Sequence, residues 1–193
     1  MEKNNITIST AVVFKSDNID TDKIIPARFL KAVSRGNFGE KLFCDLRTNP
    51  NFCLNQYPGN RKILITGNNF GCGSSREHAV WALYDYGFRV IIATGFADIF
   101  KNNAFNNGLL PLTLPAEQCN ALAQKAIENH DTIFEVSIEA QTVGIQGSEK
   151  FKFNIDPFRR ECLINGSDTT QWLLNMKDEI IDFENTKPSY NYE

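Results

Sequence analysis

The chain has 193 residues, 42% apolar and 22% charged, a composition that suits one ordinary globular domain or at most two small ones. Twenty Lys and Arg against 23 Asp and Glu leave a formal charge of −3, which argues against binding nucleic acid or membrane through bulk charge. A chain this long buries about 70% of the surface it exposes when unfolded, so it needs no disulfide or metal staple.

In chain order, Ile6 to Phe14 reads as a strand, followed by the turn-rich Ser16-Asp-Asn-Ile-Asp-Thr-Asp22. Pro26 can open a helix but would break its interior, so a short helix is predicted to start there. From Ser34 to Gly59, Gly, Asn and Pro recur every few residues, which predicts long loops with a binding role or high mobility. Lys62 to Thr66 is a strand and Gly67 to Gly73 a Gly/Asn-rich loop. Ser75 to Tyr86 carries apolar residues at 79, 82, 83 and 86, one helical stripe stopped by Gly87. Phe88 to Ala93 is a strand apolar on both faces, Ala97 to Asn107 a helix ended by Gly108, and Leu109 to Leu114 a strand. This order predicts parallel pairing with right-handed crossovers. After Pro115 a helix buries Cys119, Leu122, Ala123, Ala126 and Ile127. Strands at Thr132 to Ile138, Thr142 to Gln146 and Lys150 to Ile155 then pair antiparallel. Ser167 or Asp168 caps a last helix carrying Trp172, Leu173, Met176 and Ile180. Trp81 and Trp172 read as core. The expectation is one domain over residues 1–193, with a polar tail from about 187 that frays.

Five cysteines, at 44, 53, 72, 119 and 162, show no CxxC spacing and only two histidines accompany them, so no self-contained zinc or iron–sulfur site is expected. Reduced thiols, no basic or apolar leader in MEKNNITIST and no strongly apolar stretch longer than Val90 to Ala93 make the expectation a cytoplasmic protein without a membrane span.

Chemistry concentrates in Gly67-Asn-Asn-Phe-Gly-Cys-Gly73-Ser74-Ser75-Arg76-Glu77-His78, between a strand and a helix. Glycines let several N–H groups converge, and the helix start adds the positive end of its dipole. An anion there would meet backbone donors at Gly73, the hydroxyls of Ser74 and Ser75, and the Arg76 guanidinium, whose fork matches a carboxylate. The competing reading is a capping box, Ser74-x-x-Glu77, in which Ser74 only starts the helix. Neither the phosphate loop nor the dinucleotide fingerprint fits, because Gly73 directly precedes Ser74 and Arg76 stands where the third glycine belongs. His78 and Cys72 are expected as packing residues, and Asp20 and Asp22 as turn formers.

The stretch Asn69-Phe-Gly-Cys-Gly-Ser-Ser-Arg-Glu-His-Ala79 resembles the signature of the small subunit of bacterial 3-isopropylmalate dehydratase, in the aconitase superfamily. Asn18-Ile-Asp-Thr-Asp-Lys-Ile-Ile-Pro26, Phe96-Ala-Asp-Ile-Phe100 with Phe105-Asn-Asn-Gly-Leu-Leu-Pro111, and Asp156-Pro-Phe-Arg-Arg160 are similar to further blocks of that family, in the same order. The resemblance implies a mixed α/β fold, the three-layer β/β/α swivelling domain equivalent to aconitase's fourth. It implies a heterodimer with a large subunit that carries a 4Fe-4S cluster, this chain binding no cofactor. The implied reaction, in leucine biosynthesis, interconverts 2-isopropylmalate and 3-isopropylmalate through 2-isopropylmaleate by loss and return of water.

By the same resemblance Ser74 is the proton-abstracting alkoxide, Arg76 holds a carboxylate of the small dicarboxylate substrate, and Asp22 orients at the edge of the site. Arg28 and Arg35 are both candidates for a second substrate arginine, and Lys31 to Gly39 for contact with the isopropyl group. Val80, Asn68 and Lys101 depart from the family pattern without touching Ser74 or Arg76. Alternatives are a sister hydro-lyase subunit of the homoaconitase or methylmalate/citraconate hydratase kind, and a non-catalytic anion- or nucleotide-binding module.

Overall fold

The structure, a computed structural model, describes residues 3–30, 36–56 and 60–186. Two four-stranded sheets organise it. The segment expected as one strand is two: β1 (Ile6–Ser9) and β2 (Ala11–Phe14) part at Thr10 and enter different sheets. β1 leaves Ile6 and Ile8 exposed and buries Thr7, as befits a sheet wetted on one face. Ala11 and Val12 of β2 are both buried, as in a covered parallel sheet.

β2, β3 (Ile63–Thr66), β4 (Val90–Ala93) and β5 (Leu110–Thr113) form the parallel sheet in that order, with Ile65 level with Val13 and Ile92. Alternate residues feed two cores. Val12, Leu64, Ile91 and Ala93 pack with α3 (Glu77–Tyr86) and α4 (Asp98–Asn106). Ile63, Ile65, Val90, Ile92, Leu110 and Leu112 pack with α5 (Ala116–Glu128) and with the antiparallel sheet. That second sheet orders β1, β6 (Phe134–Ser137), β7 (Thr142–Ile145) and β8 (Lys150–Lys152), as the Gly-containing turns predicted. The outcome is the expected mixed α/β layering: helices, parallel sheet, antiparallel sheet.

Several local readings are corrected. A short helix, α1 (Thr21–Ile24), replaces the end of the predicted turn, because Asp20 Oδ1 accepts from Lys23 N at 2.7 Å and caps it. Pro26 opens only a 3-10 turn, Ala27–Phe29. The predicted loop between 34 and 59 contains 3-10 turns and α2 (Cys53–Gln56), and it buries Phe38, Leu42, Phe43 and Leu54, so it is part of a core.

Asp156 and Pro157 cap and open an unpredicted α6 (Pro157–Asn165), the side chain accepting from Arg159 N at 3.1 Å. The last predicted helix is two, α7 (Thr169–Asn175), capped by Asp168, and α8 (Lys177–Thr186). Neither buries a residue: Leu173 and Ile180 stay exposed, and half-buried Trp172 meets Phe158 edge-on at 4.8 Å rather than a core. Trp81 is also only half-buried, and Ile127 is exposed on α5. The tail from 187 lies outside the described residues. No helix among those described is long and apolar enough to cross a membrane.

Candidate active site

Loops leaving the carboxyl ends of β2, β3 and β4 meet at one edge of the parallel sheet, where open α/β sheets bind ligands. Backbone bonds lace them together. Asn18 N donates to Asn68 O at 2.9 Å, Gly71 N to Ile19 O at 2.7 Å, and Thr21 N to Cys72 O at 2.9 Å. Phe70 N donates to Gly95 O and Ala97 N to Phe70 O, both at 3.0 Å. Gly71 (φ +77°) and Gly73 (φ +86°) sit in the left-handed region. At Gly71 a Cβ would also lie 2.2 Å from Phe100 Cγ. At Gly73 the nearest atom would be 3.4 Å away, so conformation alone selects glycine there.

The capping box does not form. α3 starts at Glu77 with Arg76 as an extended N-cap whose side chain makes no capping hydrogen bond. Ser74 instead offers its carbonyl to Thr21 Oγ1 at 2.9 Å, and its side chain carries no hydrogen bond among the described residues. Ser74, Ser75 and Gly73 are exposed and, with Thr21, Gly71, Arg76 and residues 97–100 at the start of α4, line a cavity of about 260 Å³. Nothing seals Ser74 in hydrocarbon.

Arg76 is nearly buried and its Nη1 forms an ion pair with Asp22 Oδ1. The hydrogen bond from Arg76 holds the Asp22 carboxyl below its ordinary value of 3.8. Partial burial opposes that effect, while the Arg76 charge and the Ala27 N–H add to it. A positive fork is thus fixed beside a free hydroxyl. Thr21 and the Ala97 to Phe100 segment line the same cavity, although the sequence assigned them no role. The block Phe96-Ala-Asp-Ile-Phe100 was the available signal, and Thr21 was hidden between two aspartates.

Other candidates stand elsewhere. Arg28 is exposed, bonded through Nη1 to Asp45 Oδ2 at 3.0 Å and through Nη2 to Asp45 Oδ1 and Cys44 Sγ, and it does not line the cavity. Arg35, and most of the segment expected to meet the isopropyl group, lie outside the described residues. His78 packs between Phe38 and Trp81, ring centroids 5.4 and 4.6 Å away, and Cys72 is half-buried; neither lines the cavity. A larger cavity of about 560 Å³ lies beside α5 and holds none of the candidate residues. The five thiols are free, and among the described residues no three His, Cys, Asp or Glu side chains gather as metal donors, so this donor set does not fit an iron–sulfur cluster.

Residues 7–117 match the aconitase C-terminal domain family. The chain is 48% identical over 197 residues to the 3-isopropylmalate dehydratase small subunit of Karelsulcia muelleri, covering 99% of this chain and all of that one. It is 46% identical to the protein of the same name from Rhodospirillum centenum, over 95% of this chain and 94% of that one. The crystal structure of a 3-isopropylmalate dehydratase from Methanocaldococcus jannaschii is similar with a TM-score of 0.67 at 28% identity, covering 93% of this chain and 99% of that one. Full-length likeness at this level, on an aconitase-type layering, means that the chain belongs to the 3-isopropylmalate dehydratase small-subunit family.

Proposed function

We propose that the chain is the small subunit of a cytoplasmic 3-isopropylmalate dehydratase, paired with a large subunit. Together they interconvert 2-isopropylmalate and 3-isopropylmalate by dehydration and rehydration, in leucine biosynthesis. The observation that carries the reading is the meeting of an uncapped Ser74 and an Asp22-held Arg76 on one open cavity.

Arg76 grips a substrate carboxylate in a two-bond fork, while Asp22 keeps the guanidinium in place. Ser74 Oγ takes the proton from the carbon next to a carboxylate. The C–H electron pair becomes the new C=C bond as hydroxide leaves the neighbouring carbon, and the proton returns from Ser74 in the reverse direction. The positive end of the α3 dipole and the Arg76 charge on the same cavity favour the ionised alcohol, and Ser75 adds a second hydroxyl at the rim. Help for the departing hydroxide belongs to the large subunit, to which the resemblance assigns the 4Fe-4S cluster. Arg28 would have to exchange Asp45 for a substrate carboxylate to act as the second arginine, and Arg35 is the alternative.

The test is reconstitution with a cluster-loaded large subunit, comparing isopropyl-, methyl- and carboxymethyl-substituted malates. The isopropyl compound should give the highest kcat/KM, with neither subunit active alone. A clear preference for another substituent would favour a sister hydro-lyase, which the names of the relatives do not. Full turnover by this chain without a partner would refute the shared centre.

A further inference from the structure

Asn107 follows α4 and is 8% exposed. Its amide is committed at both ends: Nδ2 donates to Glu77 Oε1 at 2.8 Å and to Asn103 O at 2.9 Å, while Oδ1 accepts from Trp81 Nε1 at 3.0 Å. A flipped amide would set its oxygen against two acceptors and its NH2 against the indole N–H, so only one orientation satisfies the group.

Glu77 has two possible uses. In a capping box its carboxylate reaches back to the Ser74 N–H while Ser74 Oγ accepts from the Glu77 N–H, each bond supporting the other. Holding the carboxylate elsewhere removes half of the box. In this fold it is held by a residue thirty positions along the chain, and the helix starts without Ser74.

We infer that Asn107 is a positioning residue for the proton acceptor: by engaging Glu77 it keeps Ser74 out of the helix cap and its hydroxyl on the cavity. The inference rests on the reading of Ser74 given above and deepens it. A hydroxyl oxygen that accepts a helix N–H is turned toward the helix end, and there it cannot collect a proton from a bound substrate. Trp81 and Asn103 O hold the Asn107 amide in the one orientation that presents a donor to Glu77.

Asn107→Leu frees Glu77. In the isolated full chain, exchange of the Glu77 amide should then slow by about fivefold or more, because Ser74 caps it. That protection should vanish when Ser74→Ala is added. In the reconstituted enzyme kcat should fall by about tenfold or more and KM should rise, because a cap at Ser74 turns Arg76 from an extended into a helical residue and shifts its guanidinium. Glu77→Ala added to Asn107→Leu removes the freed carboxylate, so the box cannot form, and kcat should return to within about threefold of the parent. Asn107→Ala takes the place of Asn107→Leu if that chain does not fold.

A folded Asn107→Leu chain with normal kcat and an unprotected Glu77 amide would overturn the inference, as would a folded double variant that stays slow. Ser74→Ala run in parallel separates the two levels. If it keeps its rate, the reading of Ser74 fails; if it loses its rate while Asn107→Leu keeps it, only the present inference fails.

Discussion

A serine hydroxyl is a weak base near neutral pH, so Ser74 is useful only where its alkoxide is favoured and its oxygen is free. The loop meets the second condition by placing Ser74 two residues ahead of the helix cap, exposed and without a side-chain partner among the described residues. Ser74→Ala should keep the fold and subunit assembly but lower kcat by about 10²–10⁴-fold, read in the reconstituted assay. Turnover near the parent rate would remove Ser74 from the chemistry. Asp22 is a different kind of residue, a carboxylate whose ionised form is favoured by Arg76. A depressed folded-state value means the pair stabilises the fold above the unfolded carboxyl's range, and this contribution is lost as pH falls through the folded value. Asp22→Asn should therefore lower stability at neutral pH, modestly because Asp22 is mostly exposed, and the difference should close on acidification below 3.8. Melting curves of both proteins between pH 3 and 7 would check this, and a gap that widens in acid would contradict the sign.

The element that decides the site is the loop from β3 to α3, not the helix. Its path depends on Gly71, where backbone conformation and the ring of Phe100 both exclude a side chain. Gly71→Ala should cost about 2 kcal/mol or more, a fall in Tm of roughly 4–8 °C for a chain of this size. An unchanged Tm would mean the loop has an alternative path. The sequence showed this loop clearly, because five residues useful for holding an anion fall within six positions. It was ambiguous about Ser74, since the same letters spell a cap and a cradle. Nothing within the Ser74 to Glu77 stretch separates the two; the partner that removes Glu77 from the cap, Asn107, comes thirty residues later. The break at Thr10 was equally hidden, because Ile6 to Phe14 is apolar enough to read as one strand, and only the strands it meets assign its halves to two sheets.

At the scale of the whole molecule, two cores share the parallel sheet, and the C-terminal helices add to neither. Leu173, Leu174, Ile180, Ile181 and Phe183 are all at least 40% exposed on α7 and α8. A chain ending at Asp168 should match one ending at Thr186 to within about 1 kcal/mol in stability, since the main loss is the edge contact of Trp172 on Phe158. Loss of cooperative unfolding in the shorter chain would show that these helices belong to a core. The helical stripe in this segment was legible, but its burial was not, because periodicity marks an apolar face and says nothing of what covers it.

By itself the sequence determined the strand–helix alternation, the antiparallel trio of strands, the glycine turn and the family, because each is written in residues near one another along the chain. Only the tertiary structure decided that the Ser74 hydroxyl has no partner among the described residues, that Asp22 grips Arg76, that Arg28 faces Asp45 instead of the cavity, and that Thr21 lines the cavity. Each of these is a contact between segments 17 to 54 residues apart, or the absence of one. Such contacts depend on which loops the sheet brings to the same edge, and local propensity carries no record of that.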